Sequence, residues 1–281
     1  MMKSVLITGG AGFFGRGFAK TALERGVKRI CIFSRGEYAQ ALMRQEFKDD
    51  PRLRFFIGDV RDADRLEEAM QGVDVVVHAA ALKRIEVGHY NPEEMFKTNV
   101  AGTLNVIRAA RRAQVQKVVF LSSDKAAQPV SAYGISKAAA ECAILSANNT
   151  RGNTGPIFAA VRYGNVWRST GSVAPTWERL ILQGEDVVPV TDPECTRYFM
   201  RREEAVDLVM NTIDTMLGGE LNIPDLPAYR LGDLAEAMGV GMLVNGLGEF
   251  EKRHETMDGK TDSSMARRMS VEELRESLAH D

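Results

Sequence analysis

Short apolar runs recur along the first 165 residues, and each is followed by a stretch whose apolar positions return every three or four places. Val5-Leu6-Ile7, inside Lys3 to Thr8, reads as a buried strand and Arg16 to Arg25 as a helix. The alternation continues with strands at Arg29 to Phe33, Arg54 to Ile57, Val73 to Val77, Val118 to Leu121 and Ile157 to Arg162. Helical spacing appears at Asp64 to Met70, Pro92 to Arg112 and Tyr133 to Ala147. Unbroken apolar strands separated by helices predict an α/β fold with a doubly wound parallel sheet of Rossmann type. Beyond Tyr163-Gly164-Asn165 the rhythm changes to loops, with helices at Glu203 to Met216 and Leu231 to Met238 and a short strand at Leu221 to Ile223. Residues 166–281 therefore read as a mixed region that completes the sheet and adds a small C-terminal cap, not as an independent second core. The charged stretch Glu249 to Asp281 reads as surface, with a solvated helix at Val271 to Leu278.

A chain of 281 residues that is 44% hydrophobic is long enough for one large domain with such an annex. A net charge of -2 gives no global attraction to nucleic acid or to an anionic membrane, and no apolar run approaches transmembrane length. Cys31, Cys142 and Cys195 are too far apart for a metal-binding pattern and too few for a disulfide framework. Met1 leads within four residues into the first strand without a charged leader. These features together predict a cytoplasmic chain with reduced thiols, no metal and no membrane or nucleic-acid partner.

The first strand runs into Gly9-Gly10-Ala11-Gly12-Phe13-Phe14-Gly15 and then a helix. Strand, glycine turn and helix form a dinucleotide site, because the backbone approaches a pyrophosphate whose charge meets amide N–H groups at the helix start. Gly9, Gly12, Phe13, Phe14 and Gly15 are the expected contacts, and residues 1–165 become the cofactor-binding domain. The second strand ends at Ser34-Arg35, where an NAD site carries an acidic residue; a hydroxyl and a guanidinium suit a 2′-phosphate, which favours NADP over NAD. Asp59 is placed to accept from an adenine amine while Val60 packs on the ring; Asp62 reads equally well as the following helix cap. Ala79, Ala80 and Ala81 leave room for a cofactor, and Lys83, Arg84 and His89 follow in a polar loop that forms a pocket wall. His78 has no adjacent acidic partner and reads as a packed histidine; Asn99, inside a helix, either bonds cofactor-site backbone or faces solvent.

Leu121 to Lys137 collects hydroxyls, a carboxylate, two amines and a phenol at the end of the fifth strand. Tyr133 and Lys137, four apart, share a helix face. With Thr8-Gly9-x-x-Gly12-x-x-Gly15, this Tyr-x-x-x-Lys pair resembles the extended short-chain dehydrogenase/reductase superfamily. His78-Ala-Ala-Ala-Leu-Lys83, Tyr90-Asn-Pro92, Thr98-Asn-Val100, Ser122-Ser-Asp-Lys-Ala126, Gly164-Asn-Val166 and Thr191-Asp-Pro-x-x-Thr-Arg197 are similar to the inverting UDP-N-acetylglucosamine 4,6-dehydratases of the polysaccharide-biosynthesis branch. The resemblance spans about Lys3 to about Thr256.

It implies transient reduction of NADP while Tyr133, as phenolate, takes the proton of the sugar 4-hydroxyl, with Lys137 lowering the tyrosine pKa and Ser123 orienting the hydroxyl. Retaining hexose dehydratases have Asp-Glu where this chain has Asp124-Lys125. By resemblance a neutral Lys125 removes the C5 proton, and a protonated Asp124 donates to the departing 6-hydroxyl. Ser122, Tyr163, Lys83 and Asn99 complete the expected cofactor contacts. Lys83, Asn165, Val173, Pro175, Thr191, Arg197, Arg253 and Glu255 are the expected contacts of a UDP-linked sugar. The family's Arg-Pro-Gly before Glu-Lys-x-His-Glu is replaced here by Gly248-Glu249-Phe250, which removes a diphosphate contact that Arg253 is placed to supply. The cap looks trimmed, which leaves homo-oligomer formation open. Competing expectations are a nucleotide-sugar 4-epimerase or 4-ketoreductase and, outside enzymes, an NADP-sensing regulator.

Overall fold

The computed structural model describes residues 2–279; Met1, His280 and Asp281, at the outer limits of the two expected regions, lie outside the described residues. The chain opens with β1 (Ser4–Thr8), α1 (Phe13–Glu24), β2 (Arg29–Ser34), α2 (Glu37–Glu46), β3 (Leu53–Ile57), α3 (Ala63–Met70) and β4 (Val75–His78). It continues through α4 (Ile85–Tyr90), α5 (Pro92–Phe96), a wide π-type turn at Lys97–Ala101, α6 (Gly102–Arg112), β5 (Lys117–Leu121), α7 (Ala132–Ser146) and β6 (Ile157–Val161). The remainder comprises α8 (Val173–Leu182), β7 (Val187–Val190), β8 (Thr196–Tyr198), α9 (Arg202–Thr215), β9 (Leu221–Asn222), β10 (Ala228–Arg230), α10 (Leu231–Met238), β11 (Gly241–Val244) and α11 (Val271–Ala279).

Seven parallel strands form one sheet in the order β3-β2-β1-β4-β5-β6-β9. Strand order reverses between β1 and β4, and in open α/β sheets the crevice beyond the carboxyl ends at such a point binds ligands. Both faces of the sheet are covered. Val5 and Ile7 of β1 join Phe18, Met43 and Val209 from α1, α2 and α9, while Leu6 faces Leu66, Val106 and Ile144 from α3, α6 and α7. Period-two alternation thus serves two apolar layers, which is why these strands are unbroken hydrophobic runs. A Cβ on Gly15 would collide with the Gly10 carbonyl oxygen, so glycine lets α1 start directly against the turn after β1.

The cap differs from expectation by having a core of its own. Trp167, Trp177, Val188, Cys195, Phe199, Tyr229 and Leu234 form a third apolar cluster separate from the two sheet layers. It includes Leu274 of α11, so the helix expected to be solvated is docked, and Trp167 Nε1 donates to the Ser277 carbonyl at 3.3 Å. Pairs β8–β10 and β7–β11 add two small sheets. Helices α2 and α8 were not foreseen, whereas the helix expected over Pro92 to Arg112 runs unbroken through α5, the π-type turn and α6, with helical backbone at both junctions. No described helix is long and apolar enough to cross a membrane.

His78 closes β4 in full burial. Its Nδ1 lies 2.7 Å from Thr8 Oγ1 and its Nε2 3.0 Å from Thr103 Oγ1. Thr103 donates to the Asn99 carbonyl at 2.6 Å, and Thr8 Oγ1 accepts from Ala80 N at 3.2 Å. This network assigns the ring hydrogen to Nε2 and makes a continuous hydrogen-bonded floor from Ala80 to Asn99. Burial pushes the His78 pKa down to about 3, assisted by the charge of Lys137. Between that value and the ordinary histidine pKa the unfolded chain binds a proton that the folded one refuses, so acid removes stability. Unfolding in urea should lose about 1–2 kcal/mol more between about pH 7 and about pH 5 in the wild type than in His78→Gln. Equal pH slopes in the two proteins would contradict a buried neutral histidine.

Candidate active site

The end of β5 leads through Ser122 and Ser123 into a 3-10 turn, Asp124–Ala126, and then to Ser131, whose hydroxyl caps α7 by accepting from Gly134 N at 3.1 Å. A Cβ on Gly134 would collide with the Lys125 carbonyl oxygen. Glycine there lets the first turn of α7, with Tyr133, sit against the turn that carries Asp124 and Lys125. Lys137 follows one helical turn after Tyr133 and aims its Nζ at the Leu121 carbonyl, 2.6 Å away, with the Phe120 ring face 4.0 Å below.

Asp124 is 1% exposed. Its Oδ1 accepts from Ser123 Oγ at 2.9 Å, from Lys125 N at 2.9 Å and from Lys125 Nζ at 3.2 Å; its Oδ2 is buried with no hydrogen-bond partner. Lys125 Nζ also meets Asn165 Oδ1 and Glu255 Oε1, each at 3.3 Å. Burial opposes the ammonium, but the Asp124 and Glu255 carboxylates together outweigh it and hold the Lys125 pKa above the ordinary lysine value. These carboxylates favour the ammonium in the free protein, while the neutral amine expected belongs beside a bound cationic nicotinamide.

Burial pushes the Tyr133 pKa up against the hydrogen bond with Ser123 and the charge of Lys125. The phenol is therefore protonated in the free protein. The expectation that Lys137 activates it meets a different geometry, because the Lys137 ammonium is turned to Leu121. Burial pushes Lys137 itself down to about 7, with Glu141 opposing. Glu141 is held in turn by a two-point pair with Arg162. Lys83 is likewise lowered by burial and by Arg84 and Lys125.

These groups open into a cleft of about 810 Å³ along the carboxyl ends of the strands. Ser123, Lys125, Tyr133 and Lys137 line it; Asp124 does not, and reaches it through the Ser123 hydroxyl. Of the expected cofactor contacts, all line the cleft except Gly15, which packs on Gly10, and Asn99. Asn99 sits on the π-type turn, 2% exposed, and ties down the loop after β4: its Oδ1 accepts from Leu82 N at 2.8 Å, and its Nδ2 donates to Leu82 O and Ser136 Oγ, each at 2.9 Å. That widened turn is the π distortion often found near functional sites.

Beyond Ser34, Arg35 is more than half exposed and stands 3.9 Å from Asp59. Burial opposes ionisation of Asp59, but Arg61 outweighs it and holds the carboxyl below its usual range. The glycine and alanine floor, the buried Ser122 Oγ without a partner and the Lys137 amine fit a dinucleotide. Among the described residues no cluster of His, Cys, Asp and Glu is suited to a metal.

Of the expected sugar-nucleotide contacts, Lys83, Asn165, Val173, Arg197 and Glu255 line the cleft, whereas Pro175, Thr191 and Arg253 do not. Pro175 is carried away within α8, Thr191 follows β7 in the cap, and Arg253 is drawn outward to Asp192 at 2.8 Å. Arg197 Nη1 donates to the carbonyls of Thr196 and Arg253 at 2.8 and 3.1 Å. Sequence reasoning left Thr98, Ser169, Thr170 and Lys252 of the wall unassigned. Thr98 lay in the Thr98-Asn-Val100 string and Lys252 in the Glu-Lys-x-His-Glu string, so these two had a signal to find.

The sequence matches the model of the polysaccharide biosynthesis protein family over residues 5–272. It is 42% identical over 266 residues to the inverting UDP-N-acetylglucosamine 4,6-dehydratase of Campylobacter jejuni, covering 94% of this chain and 79% of that protein. A Rickettsia bellii protein named UDP-glucose 4-epimerase is 41% identical over 242 residues, with 84% and 70% covered. Among solved structures, Pen from Bacillus thuringiensis superposes with a TM-score of 0.92 at 35% identity over 100% of this chain and 99% of that one. The dTDP-glucose 4,6-dehydratase DesIV of Streptomyces venezuelae, with NAD and TYD bound, shares the fold at a TM-score of 0.83 and 21% identity, covering 98% and 95%. The chain belongs to the polysaccharide biosynthesis protein family and is an enzyme of the short-chain dehydrogenase/reductase superfamily.

Proposed function

We propose that this enzyme is an NADP-dependent, C5-inverting nucleotide-sugar 4,6-dehydratase acting on UDP-N-acetylglucosamine in the cytoplasm. Residues 1–165 hold the cofactor in this reading, and residues 166–281 complete the sheet and cover the sugar nucleotide. The observation that carries it is the Asp124–Lys125 ion pair set beside Tyr133 and Lys137 at one strand end. An epimerase needs the tyrosine and lysine alone; elimination at C5 and C6 also needs a base and an acid. The name of the 42% identical Campylobacter relative supports the same chemistry.

Held along the glycine and alanine floor, a bound NADP would supply reversible hydride acceptance. Tyr133 takes the 4-hydroxyl proton, with Ser123 orienting that hydroxyl. The phenol is reluctant to ionise in the free protein, so Lys125 and Lys137 must compensate once solvent is excluded. One proton passing from Lys125 Nζ to Asp124 Oδ1, across 3.2 Å, creates the base and the acid together. Lys125 then takes the C5 proton, and Asp124 returns its proton through Ser123 Oγ to the leaving 6-hydroxyl. Lys137 holds the nicotinamide ribose, and Arg197 faces the diphosphate.

Tyr133→Phe should abolish both sugar oxidation and water loss. Lys125→Met should keep transient nicotinamide reduction yet lower water loss and deuterium entry at C5 by about 10²- to 10⁴-fold, read by mass and proton NMR analysis of the product. Normal deuterium entry at C5 in that variant would rule out Lys125 as the base. A product epimerised at C4 with its 6-hydroxyl intact would favour the epimerase reading that the Rickettsia relative's name suggests.

Arg35 and Ser34 support NADP over NAD, since no carboxylate stands at the end of β2 or at the position after it; Ser34 Oγ accepts from Gln40 Nε2 at 3.0 Å, which leaves its own hydrogen free to donate. Titration with each cofactor should show Arg35→Asp weakening NADP by about tenfold or more, the size of one charge-assisted contact, with NAD little changed. Equal losses would show that Arg35 does not read the phosphate.

A further inference from the structure

Lys125 is met by two carboxylates, and the elimination chemistry uses only one of them. Asp124 precedes Lys125 in the chain, but Glu255 arrives from the cap. Glu255 is 3% exposed, lines the cleft and holds Oε1 3.3 Å from Lys125 Nζ. Its backbone is fixed from both sides: Glu255 N donates to Ser263 Oγ at 2.9 Å, and Ser263 N donates to the Glu255 carbonyl at 2.7 Å. Oε2 stands 3.3 Å from Lys252 Nζ without hydrogen-bond geometry, and Lys252 Nζ donates to the Ala127 carbonyl at 2.8 Å. The segment is thereby clamped to the turn that carries Lys125.

Resting on the dehydratase reading, we propose that Glu255 is a positioning residue for the C5 proton transfer, a cap carboxylate that anchors the Lys125 amine and stabilises the ammonium it becomes. The reason is a matter of charge. Once Asp124 has accepted a proton to serve as the acid, it no longer balances an ammonium. When the C5–H bond breaks and Nζ–H forms, the electron pair left at C5 expels the 6-hydroxyl as water with the Asp124 proton. Glu255 is then the anion next to the new charge. Without it the amine is a weaker base, and the captured proton is held less firmly.

The groups facing Lys125 are Asp124, Glu255, Arg197 and Tyr133, with Lys83 across the cleft; those facing Glu255 are Lys125, Arg197 and Lys252. Burial works against the Glu255 carboxylate, but these three cations outweigh it and hold its pKa below the usual range. Removing this one charge leaves every other member in place. That makes Glu255→Gln a sharp probe.

The test uses the full chain with NADP and UDP-N-acetylglucosamine, comparing wild type, Glu255→Gln and Glu255→Asp. In Glu255→Gln, deuterium entry at C5 and water loss should fall about 10- to 100-fold, with KM within about threefold and transient nicotinamide reduction retained. A second measurement needs no turnover: amine-reactive labelling of Lys125 across pH, followed by peptide mass spectrometry. Its midpoint should fall by about one unit or more in Glu255→Gln and stay near the wild-type value in Glu255→Asp, which keeps the charge even where the Gln variant folds poorly. A raised KM with unchanged C5 exchange, or an unmoved labelling midpoint, would overturn the assignment in favour of a substrate contact alone. If the wild type removes no water from the sugar nucleotide, the dehydratase reading falls and this assignment with it. Wild-type dehydration matched by Glu255→Gln overturns this assignment only.

Discussion

An ammonium withdrawn from water has to be met by anions, and the burial of Lys125 therefore determines which segments must meet at the end of β5. One anion is its neighbour in sequence, Asp124; the other, Glu255, is brought by a segment far along the chain. Breaking a buried pair of this kind leaves an uncompensated charge, a penalty of about 3–5 kcal/mol. The cap is consequently tied to the catalytic turn by electrostatics as well as by its own apolar cluster. A closed polar arrangement at a strand end also fixes where the amine points, which a solvated lysine would not do.

The sheet supplies the rigid side of this arrangement. Its carboxyl edge is floored by a chain of hydrogen bonds from Ala80 through Thr8, His78 and Thr103 to the Asn99 carbonyl. Asn99 then uses its own amide to hold Leu82 and Ser136. The loop after β4 and helix α7 are thus referenced to the same asparagine, so the cleft wall and the tyrosine move together. His78 and Asn99 act on the site through position, since neither lines the cleft. Of the two readings open for Asn99, the backbone-bonding one holds, although the backbone it holds belongs to the cleft's supporting loop.

The central strands were legible because each is buried on both faces and so appears as an unbroken apolar run. Helix α2 was not, since the side chains it buries are Gln40 and Met43 while Tyr38 and Leu42 stay exposed, which leaves no clean apolar period to detect. Strand β7 is only four residues long, and its exposed-buried alternation is hidden because every residue, Pro189 included, is apolar, while β11 is exposed throughout. The cap's core joins Trp167, Trp177, Tyr229 and Leu274, residues too scattered for any window to register. The same split governs the site. Leu121 to Lys137 is contiguous and could be read directly, whereas the approach of Glu255 to Lys125 and the outward pull of Arg253 toward Asp192 depend on long-range folding.

Protonation was the least legible property, and the two cleft lysines show why. Lys137 is buried and Lys125 partly buried, yet Lys137 is pushed down to about 7, whereas Lys125 is held above the ordinary lysine value. Desolvation acts on both; the difference lies in the carboxylates within reach. Lys137 has Glu141 one helical turn away, but Arg162 occupies that carboxylate, while Lys125 has two carboxylates within 3.3 Å. A group near 7 changes its charge easily when a cationic ring binds beside it. A group held high takes a proton from carbon readily once its own has moved to Asp124. Opposite shifts in one cleft therefore divide the labour between two residues of one type: Lys137 is suited to hold and adjust, Lys125 to take a proton from carbon.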